Sequence, residues 1–372
     1  MISDLILDGS KIKWHQDRVE AWKRGERIAP ITIDMALLPR PKCNFNCVYC
    51  YADLQEQSNS QVIDKDTITN FLDDAAELGV KGISLVSDGE SSHSPVFEHA
   101  ITHGAKRGIA MAVGSNALVV GPDLAERILP HLTYYRVNIS AGEKKRYGEI
   151  MGVKEQWFDR VCDNIRHAVR IKRENNLDVT IGMQMVLMPE FADQILPLSK
   201  LAVELESDYL IIKHCSDDEF GSLGVDYGGY GDLTDLLKSA EELTTDKTRI
   251  AVKWSKIEAK GTRSYKRCYG PPFHIQLSGT GLVAPCGMLF NDRYKDKFHI
   301  GNIVETRFKD IIKSDRYWDV MNMLASPEFN AQTMCGSLCL QHKTNEVLDG
   351  LMNNDVTLDK PEGAPPQHVE FL

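Results

Sequence analysis

The sequence predicts an α/β protein, a partial (β/α)6 TIM-like barrel followed by a small α+β domain. Two features of the 372-residue chain carry that prediction. Six short β-branched runs alternate with segments of helical period over the first two-thirds, the pattern of parallel βαβ units with right-handed crossovers. After about residue 245 the alternation stops, and four of the nine cysteines fall in the stretch that follows. A doubly wound open sheet is the rival plan for the first part.

The strands are expected at 31–38, 82–87, 109–114, 134–140, 179–186 and 209–213. Between them, 64–78 sets Ile68, Phe71, Leu72 and Ala75 on one face behind Asp64 as N-cap. Segment 157–173 aligns Phe158, Val161, Ile165, Ala168 and Ile171, and 196–205 and 232–243 read similarly. Six such units make a partial barrel, not a complete eight-fold one. Beyond 245, 249–254 reads as a strand and 308–324 as a helix. Segments 274–277 and 281–284 read as a hairpin turning through 278–281, where glycine tolerates positive φ. The tail from Asp355, with Pro361, Pro365 and Pro366, has little to bury and is expected to be extended or mobile. The resulting division is an extension at 1–30, a barrel at 31–245, a cysteine-rich domain at 246–350 and a tail at 351–372.

Composition narrows the function. Forty-three basic against fifty-three acidic residues leave a net charge of -10, which opposes a phosphate-neutralising face and so a nucleic-acid partner. No apolar run reaches the roughly 18 residues of a membrane span, and Met1-Ile2-Ser3-Asp4 does not begin a signal peptide. The expectation is a cytoplasmic protein without a membrane partner. There, nine cysteines do not make a disulfide framework. Their grouping asks for metal chemistry: Cys43, Cys47 and Cys50; then Cys268, Cys286, Cys335 and Cys339; with Cys162 and Cys215 alone. Cys162 lies in a helical pattern and reads as packing.

Cys43, Cys47 and Cys50 follow the first strand with spacings of three and two residues. Three thiolates on one short loop can hold three corners of an iron–sulfur cubane and leave the fourth iron open to a cosubstrate. Zinc is the alternative occupant, although a structural zinc site wants a fourth ligand. The motif, with Tyr49 before the third cysteine, resembles the signature of radical S-adenosylmethionine enzymes. The resemblance implies a [4Fe–4S] cluster that binds S-adenosylmethionine and a 5′-deoxyadenosyl radical that abstracts hydrogen from a substrate. It implies that Tyr49 lies beside the adenine. The second strand ends in Ser87-Asp88-Gly89-Glu90-Ser91, which resembles the family's Gly-Gly-Glu-Pro element that holds the methionyl amine, with Asp88 and Ser91 as departures. Gly114-Ser115-Asn116 and the segment from Asn138 to Gly142, with Ser140, resemble loops that bind the ribose and carboxylate. Gln184 and Lys213-His214-Cys215 complete a ring of polar strand ends, where chemistry collects in a parallel barrel.

Cys268-x12-Gly281-x4-Cys286, with Cys335-x3-Cys339 behind it, offers four thiolates, enough to close a second metal site. The pattern resembles the auxiliary-cluster region of the SPASM and twitch subfamilies, and the phrase from Phe298 to Ile303 resembles the segment that joins its halves. Four cysteines in place of the full seven imply the shorter form, with one auxiliary [4Fe–4S] cluster. Zinc held by the same four is again the alternative.

An auxiliary cluster favours net oxidation, such as an alcohol to a ketone, with a pocket base taking the proton. Lys213, His214 and Cys215 are the catalytic candidates. A barrel-facing Cys215 thiol could instead return hydrogen to a carbon radical, making an epimerase; as a buried hydrophobe it would do neither. Lys213, His214, His274 and Gln276 could hydrogen-bond hydroxyls or a phosphate. The expected substrate is a small polar molecule, such as a sugar, an aminocyclitol or a nucleotide-linked glycan unit. A peptide is less favoured because the first thirty residues are few for a leader-binding domain. The expected electron donor is a flavodoxin or ferredoxin. Asp217-Asp218-Glu219 reads as a solvated acidic loop.

Overall fold

The computed structural model describes residues 10–337, 339, 341–353, 355, 357–359 and 361–372. The first nine residues of the expected N-terminal extension and three residues of the tail segment therefore lie outside the described residues. Ten strands share one sheet: β1 (Thr32–Met35), β2 (Gly82–Leu85), β3 (Ala110–Ser115), β4 (Tyr134–Asn138), β5 (Thr180–Leu187), β6 (Tyr209–His214), β7 (Arg249–Val252), β8 (His274–Leu277), β9 (Leu282–Ala284) and β10 (Gly301–Asn302). Their order is β10-β9-β8-β1-β2-β3-β4-β5-β6-β7. The six expected barrel strands are β1 to β6, each parallel to the next.

The sheet extends further than the sequence pattern indicates. β7 pairs parallel with β6, and β8 pairs parallel with β1 through Thr32↔His274 and Asp34↔Gln276. Residues on both sides of position 245 thus share one sheet. The expected hairpin forms as β8 and β9, antiparallel through Gln276↔Ala284, and Gly281 takes φ +83° in its turn.

Period-two alternation sorts the side chains. On β4, Tyr135 and Val137 are buried while Tyr134, Arg136 and Asn138 point the other way, into the barrel. Helices cover the outer face. The helix Lys65–Glu77 is capped by Asp64, which accepts from Thr67 N at 2.8 Å, and buries Ile68, Phe71, Leu72 and Ala75. The helix Trp157–Glu174 buries Val161, Cys162, Ile165, Ala168 and Ile171.

The end of the tail is docked, which corrects the expectation of a mobile segment. Thr32, the first residue of β1, donates to Glu370 O at 2.8 Å and accepts from Leu372 N at 3.2 Å. His368 Nε2 meets Thr180 Oγ1 at 2.8 Å, and Phe371 packs edge-on to Tyr134 at 4.9 Å. All three partners stand at the N-terminal ends of strands, so the tail closes that end of the barrel. Phe371 supplies the apolar area that the proline-rich stretch before it lacks.

Candidate active site

The loop that follows β1 is held from several sides. Arg40 Nε lies 2.7 Å from Asp53, and its other nitrogens donate to Phe45 O at 3.0 Å and Asn46 Oδ1 at 2.9 Å. Phe45 is buried beside Trp157 and Tyr147, and Val48 N donates to Ile150 O at 3.1 Å. Gly89 and Gly279 approach the backbone at Leu38 so closely that a Cβ at either would overlap it. These contacts turn Cys43, Cys47 and Cys50 towards one cavity, open at one side to solvent.

Burial pushes all three thiols up, and each neighbour's charge raises Cys47 further. Three thiolates together therefore need a positive metal centre to offset them. The cavity lining holds no fourth thiol, which matches a cluster with one iron free of cysteine. Among the described residues no three His, Cys, Asp or Glu side chains converge on a single-ion site.

Eleven of the sequence-derived site residues line this cavity: Cys43, Cys47, Tyr49, Cys50, Asp88, Gly89, Glu90, Asn116, Gln184, Lys213 and His214. Glu90 is the hub of one wall. Its Oε1 accepts from Ser92 N at 3.2 Å, Ser92 Oγ at 2.6 Å and Ser115 Oγ at 2.8 Å, while Oε2 accepts from Asn116 N at 2.8 Å. Asn116 Nδ2 then reaches Asn44 Oδ1 at 2.7 Å, tying this wall to the cysteine loop. Asp88 accepts from Gly279 N at 2.8 Å and Gln57 Nε2 at 3.1 Å, and burial pushes its carboxyl up to about 6. The aspartate in place of glycine thus anchors the β8–β9 turn to the barrel.

Ser115 and Ser140 stand one layer behind the cavity. Ser140 Oγ donates to the Tyr49 hydroxyl at 2.9 Å and accepts from Val186 N at 3.1 Å. Cys215 is corrected: its thiol does not line the cavity but is buried against Tyr49 O, 3.9 Å away, and Ser216 O, 3.7 Å away. The chain leaves β6 at His214 and turns, with Cys215 N donating to Leu187 O at 2.7 Å and the Tyr230 hydroxyl near it at 2.9 Å. Asp217 and Asp218 are likewise buried, accepting backbone N–H groups at 223 and at 220 and 222, not solvated as the sequence suggests.

Burial pushes Lys213 down to about 7, with Lys256 and Arg136 adding repulsion. Burial also pushes His214 down to about 3; its Nδ1 sits on Cys215 O, so a neutral ring leaves Nε2 as acceptor. Asp34, Arg136, Asn138, Tyr51 and Gln276 line the same cavity. Asn138 and Gln276 are among the sequence-derived candidates, whereas sequence reasoning missed Asp34, Arg136 and Tyr51. The available signal was parity, since Asp34 and Arg136 are inward positions on strands whose alternate residues are packed in the outer core. Asp34 lies 3.0 Å from His274 Nε2, close enough for an ion pair but off the hydrogen-bond angle, and accepts from Gln276 Nε2 at 3.3 Å.

The second cysteine group gathers where the hairpin, the 263–268 segment and residues 335 and 339 meet. Asn345 Nδ2 donates to Cys268 Sγ at 3.6 Å and Cys339 Sγ at 3.9 Å, the Tyr265 hydroxyl to Cys339 Sγ at 3.2 Å, and Arg263 to Cys335 Sγ at 3.6 Å. Cys286 follows β9, and its thiol is raised by burial and by Cys335 and Cys339. Four sulfurs ringed by donors suit an anionic thiolate cluster. Tyr51, next to Cys50, brings its hydroxyl against Gly287, next to Cys286, so the two groups are neighbours.

Fold and site together define a parallel-sheet barrel with two groups of cysteine thiols, one of them opening on its cavity. Residues 37–201 match the family model of the radical SAM superfamily, and residues 268–339 match SPASM, an iron-sulfur cluster-binding domain. The chain is a radical S-adenosylmethionine enzyme with a SPASM-type C-terminal domain. Its first domain is of the kind that binds a [4Fe–4S] cluster and S-adenosylmethionine, and its second binds an auxiliary iron–sulfur cluster.

Among curated proteins, the AdoMet-dependent heme synthase of Methanosarcina barkeri (strain Fusaro / DSM 804) is 30% identical over 87 residues, 23% of this chain and 24% of that protein. The shared stretch thus spans about a quarter of that relative. Streptococcus suis SuiB bound to precursor peptide SuiA superposes with a TM-score of 0.62 at 15% identity, covering 82% of this chain and 70% of that one. Native anSMEcpe with bound AdoMet and a Kp18Cys peptide gives 0.58 at 15% identity, covering 80% and 84%. At these identities the likeness is one of fold. No helix among the described residues is long and apolar enough to cross a membrane.

Proposed function

We propose that the chain is an oxidoreductase that dehydrogenates a small polar metabolite. The observation that carries this reading is the single cavity joining the three loop thiols to an inner surface of polar side chains, Asp34, Arg136, Gln184, Lys213 and Gln276. The stretch shared with a protein named for making heme also supports a substrate that is not a peptide.

In this reading Cys43, Cys47 and Cys50 hold the [4Fe–4S] cluster. Glu90, with Ser115 and Asn116 set around it, takes the amine of S-adenosylmethionine, and Tyr49, steadied by Ser140, lies beside the adenine. Cys268, Cys286, Cys335 and Cys339 hold the auxiliary cluster. When bound, these groups supply a 5′-deoxyadenosyl radical that removes a hydrogen atom and an acceptor for the electron left behind.

The chain's own residues do the rest. Asp34 takes the proton released as a C–OH carbon becomes a carbonyl, and His274 and Gln276 fix its orientation. His214, neutral at physiological pH, accepts a substrate hydroxyl at Nε2. Phe371 and the docked tail shut the far end of the barrel against water. A flavodoxin or ferredoxin of the cytoplasm supplies the electron; the nine free cysteines suit that reducing compartment.

The test is a screen of polar metabolites for release of 5′-deoxyadenosine by the reduced, reconstituted enzyme. Dehydrogenation gives one 5′-deoxyadenosine for each product oxidised by two electrons, with no hydrogen taken from solvent. Solvent deuterium fixed at an inverted stereocentre would replace this reading with epimerisation, and turnover of peptides alone would exclude a metabolite.

A further inference from the structure

Two cations stand on the inner face of the barrel without a carboxylate partner. Arg136 on β4 and Lys213 on β6 both line the cavity. Arg136 is in register with Gly114 on β3 and Gly182 on β5, whose missing side chains make room for Val86 and the Tyr209 ring. The guanidinium lies over the Tyr134 ring at 5.5 Å, and its Nε is buried with no hydrogen-bond partner. Among the described residues, no carboxylate comes within ion-pair distance of either cation.

The other charges of the cavity are engaged elsewhere. Arg40 pairs with Asp53 at 2.7 Å, and Glu90 accepts four hydrogen bonds. Asp88 is bonded to Gly279 and Gln57, and Asp34 lies beside His274. Lys213 feels repulsion from Lys256 and Arg136, with Cys215 and Asp34 the weaker attractions. Burial opposes the Arg136 charge, but Tyr134, Tyr209 and Asp34 offset it, so the uncompensated cost at Arg136 is its orphaned Nε donor and that at Lys213 is its buried charge. A bound oxyanion relieves both costs.

We infer that the substrate carries an oxyanionic group, a carboxylate or a phosphoryl group, seated between Arg136 and Lys213 on the inner face of the barrel. The inference rests on the reading of this cavity as the substrate site. A planar guanidinium grips two oxygens side by side, and the ammonium adds a point charge from the neighbouring wall. The anion anchors one end of the molecule, and the rest extends towards the cysteine loop. Neutral sugars and polyols lack the group this floor is built to hold.

The experiment uses reconstituted protein, with iron content and 5′-deoxyadenosine release recorded on each batch. The melting temperature is measured with and without saturating S-adenosylmethionine, in inorganic phosphate, in acetate, and in chloride at equal ionic strength. Phosphate or acetate raises Tm above the chloride control, because a ligand of the folded chain alone stabilises it by mass action. Phosphate identifies a phosphoryl group and acetate a carboxylate. Arg136→Met and Lys213→Met each weaken the apparent anion affinity by about tenfold or more. Arg136→Lys, which keeps the charge, retains part of the effect, and Lys238→Met on the exposed surface changes nothing. Lys213→Met keeps or raises the anion-free Tm, since it removes a buried charge that its surroundings disfavour, and Arg136→Lys, which keeps the charge, separates lost binding from lost folding at the other position.

Three results overturn the inference: no stabilisation by either anion, stabilisation that disappears when S-adenosylmethionine is added, or stabilisation retained in both methionine variants. A batch that binds no iron and releases no 5′-deoxyadenosine overturns the underlying reading instead, a failure distinct from the other three.

Discussion

Glu90→Gln tests the wall opposite the cysteine loop with the smallest change of shape. In the wild type, one carboxylate satisfies four donors, three at Oε1 and one, Asn116 N, at Oε2. Glutamine has one acceptor oxygen. With that oxygen left among the three donors, its amide NH2 faces the Asn116 N–H, donor against donor. The change converts charge-assisted bonds to neutral ones and leaves a buried N–H unmet, a cost of about 2–3 kcal/mol to the folded chain. The same loss of charge removes the counter-ion proposed for the methionyl amine, a further ~1.5–3 kcal/mol, or roughly ten- to a hundredfold in cosubstrate affinity. Glu90 makes its hydrogen bonds to Ser92, Ser115 and Asn116 and its charge only raises the Cys43 thiol, so its removal leaves the thiolates able to hold iron and iron content stays at the wild-type value. The assay combines equilibrium dialysis of S-adenosylmethionine, iron determination and chemical denaturation on one preparation. Unchanged affinity would refute the proposed role, and loss of iron would show that Glu90 builds the cysteine loop instead.

Other consequences follow from the same contacts. Asp34→Asn lowers product formation by about 10²–10⁴-fold, while 5′-deoxyadenosine still accumulates; equal loss of both would place Asp34 in cosubstrate binding. Phe371→Ala costs about 3–5 kcal/mol by urea unfolding, and deletion of 367–372 costs at least as much, whereas a free tail would cost nothing. Lys213 is held near 7, below its value in the unfolded chain, so between about pH 7 and 10 the unfolded state binds more protons and stability rises with pH. Lys213→Met removes that slope and stabilises most below pH 7; an unchanged slope would assign it to other groups. Asn345→Ala withdraws donors from two sulfurs of the second group and shifts the auxiliary reduction potential negative in a redox titration; an unmoved potential would leave Asn345 a packing residue.

Much of the site was legible in the sequence because its chemistry is local. The three-cysteine loop, Glu90 beside Ser115 and Asn116, and the hairpin that carries Cys286 each declare themselves in a few consecutive residues. What escaped depends on long-range pairing. β7 and β8 read as parts of an appendix because their partners, β6 and β1, lie 40 and 242 residues away in register. Arg136 looks like any charged residue in a strand until the neighbouring parallel strands set it on the wall of the cavity. The tail looks free until Thr32, Thr180 and Tyr134 are seen together at one end of the barrel. Cys215 has the parity of an inward residue, but the strand ends one position earlier and the turn carries the thiol away.

The most direct measurement is metal content after anaerobic reconstitution with iron and sulfide, in the wild type and in the chain with Cys43, Cys47 and Cys50 all changed to alanine. The account predicts about eight irons per chain, falling to about four in the triple variant, with S-adenosylmethionine altering the electron paramagnetic resonance spectrum of the wild type alone. Stoichiometric zinc without iron, or a spectrum indifferent to S-adenosylmethionine, would contradict it.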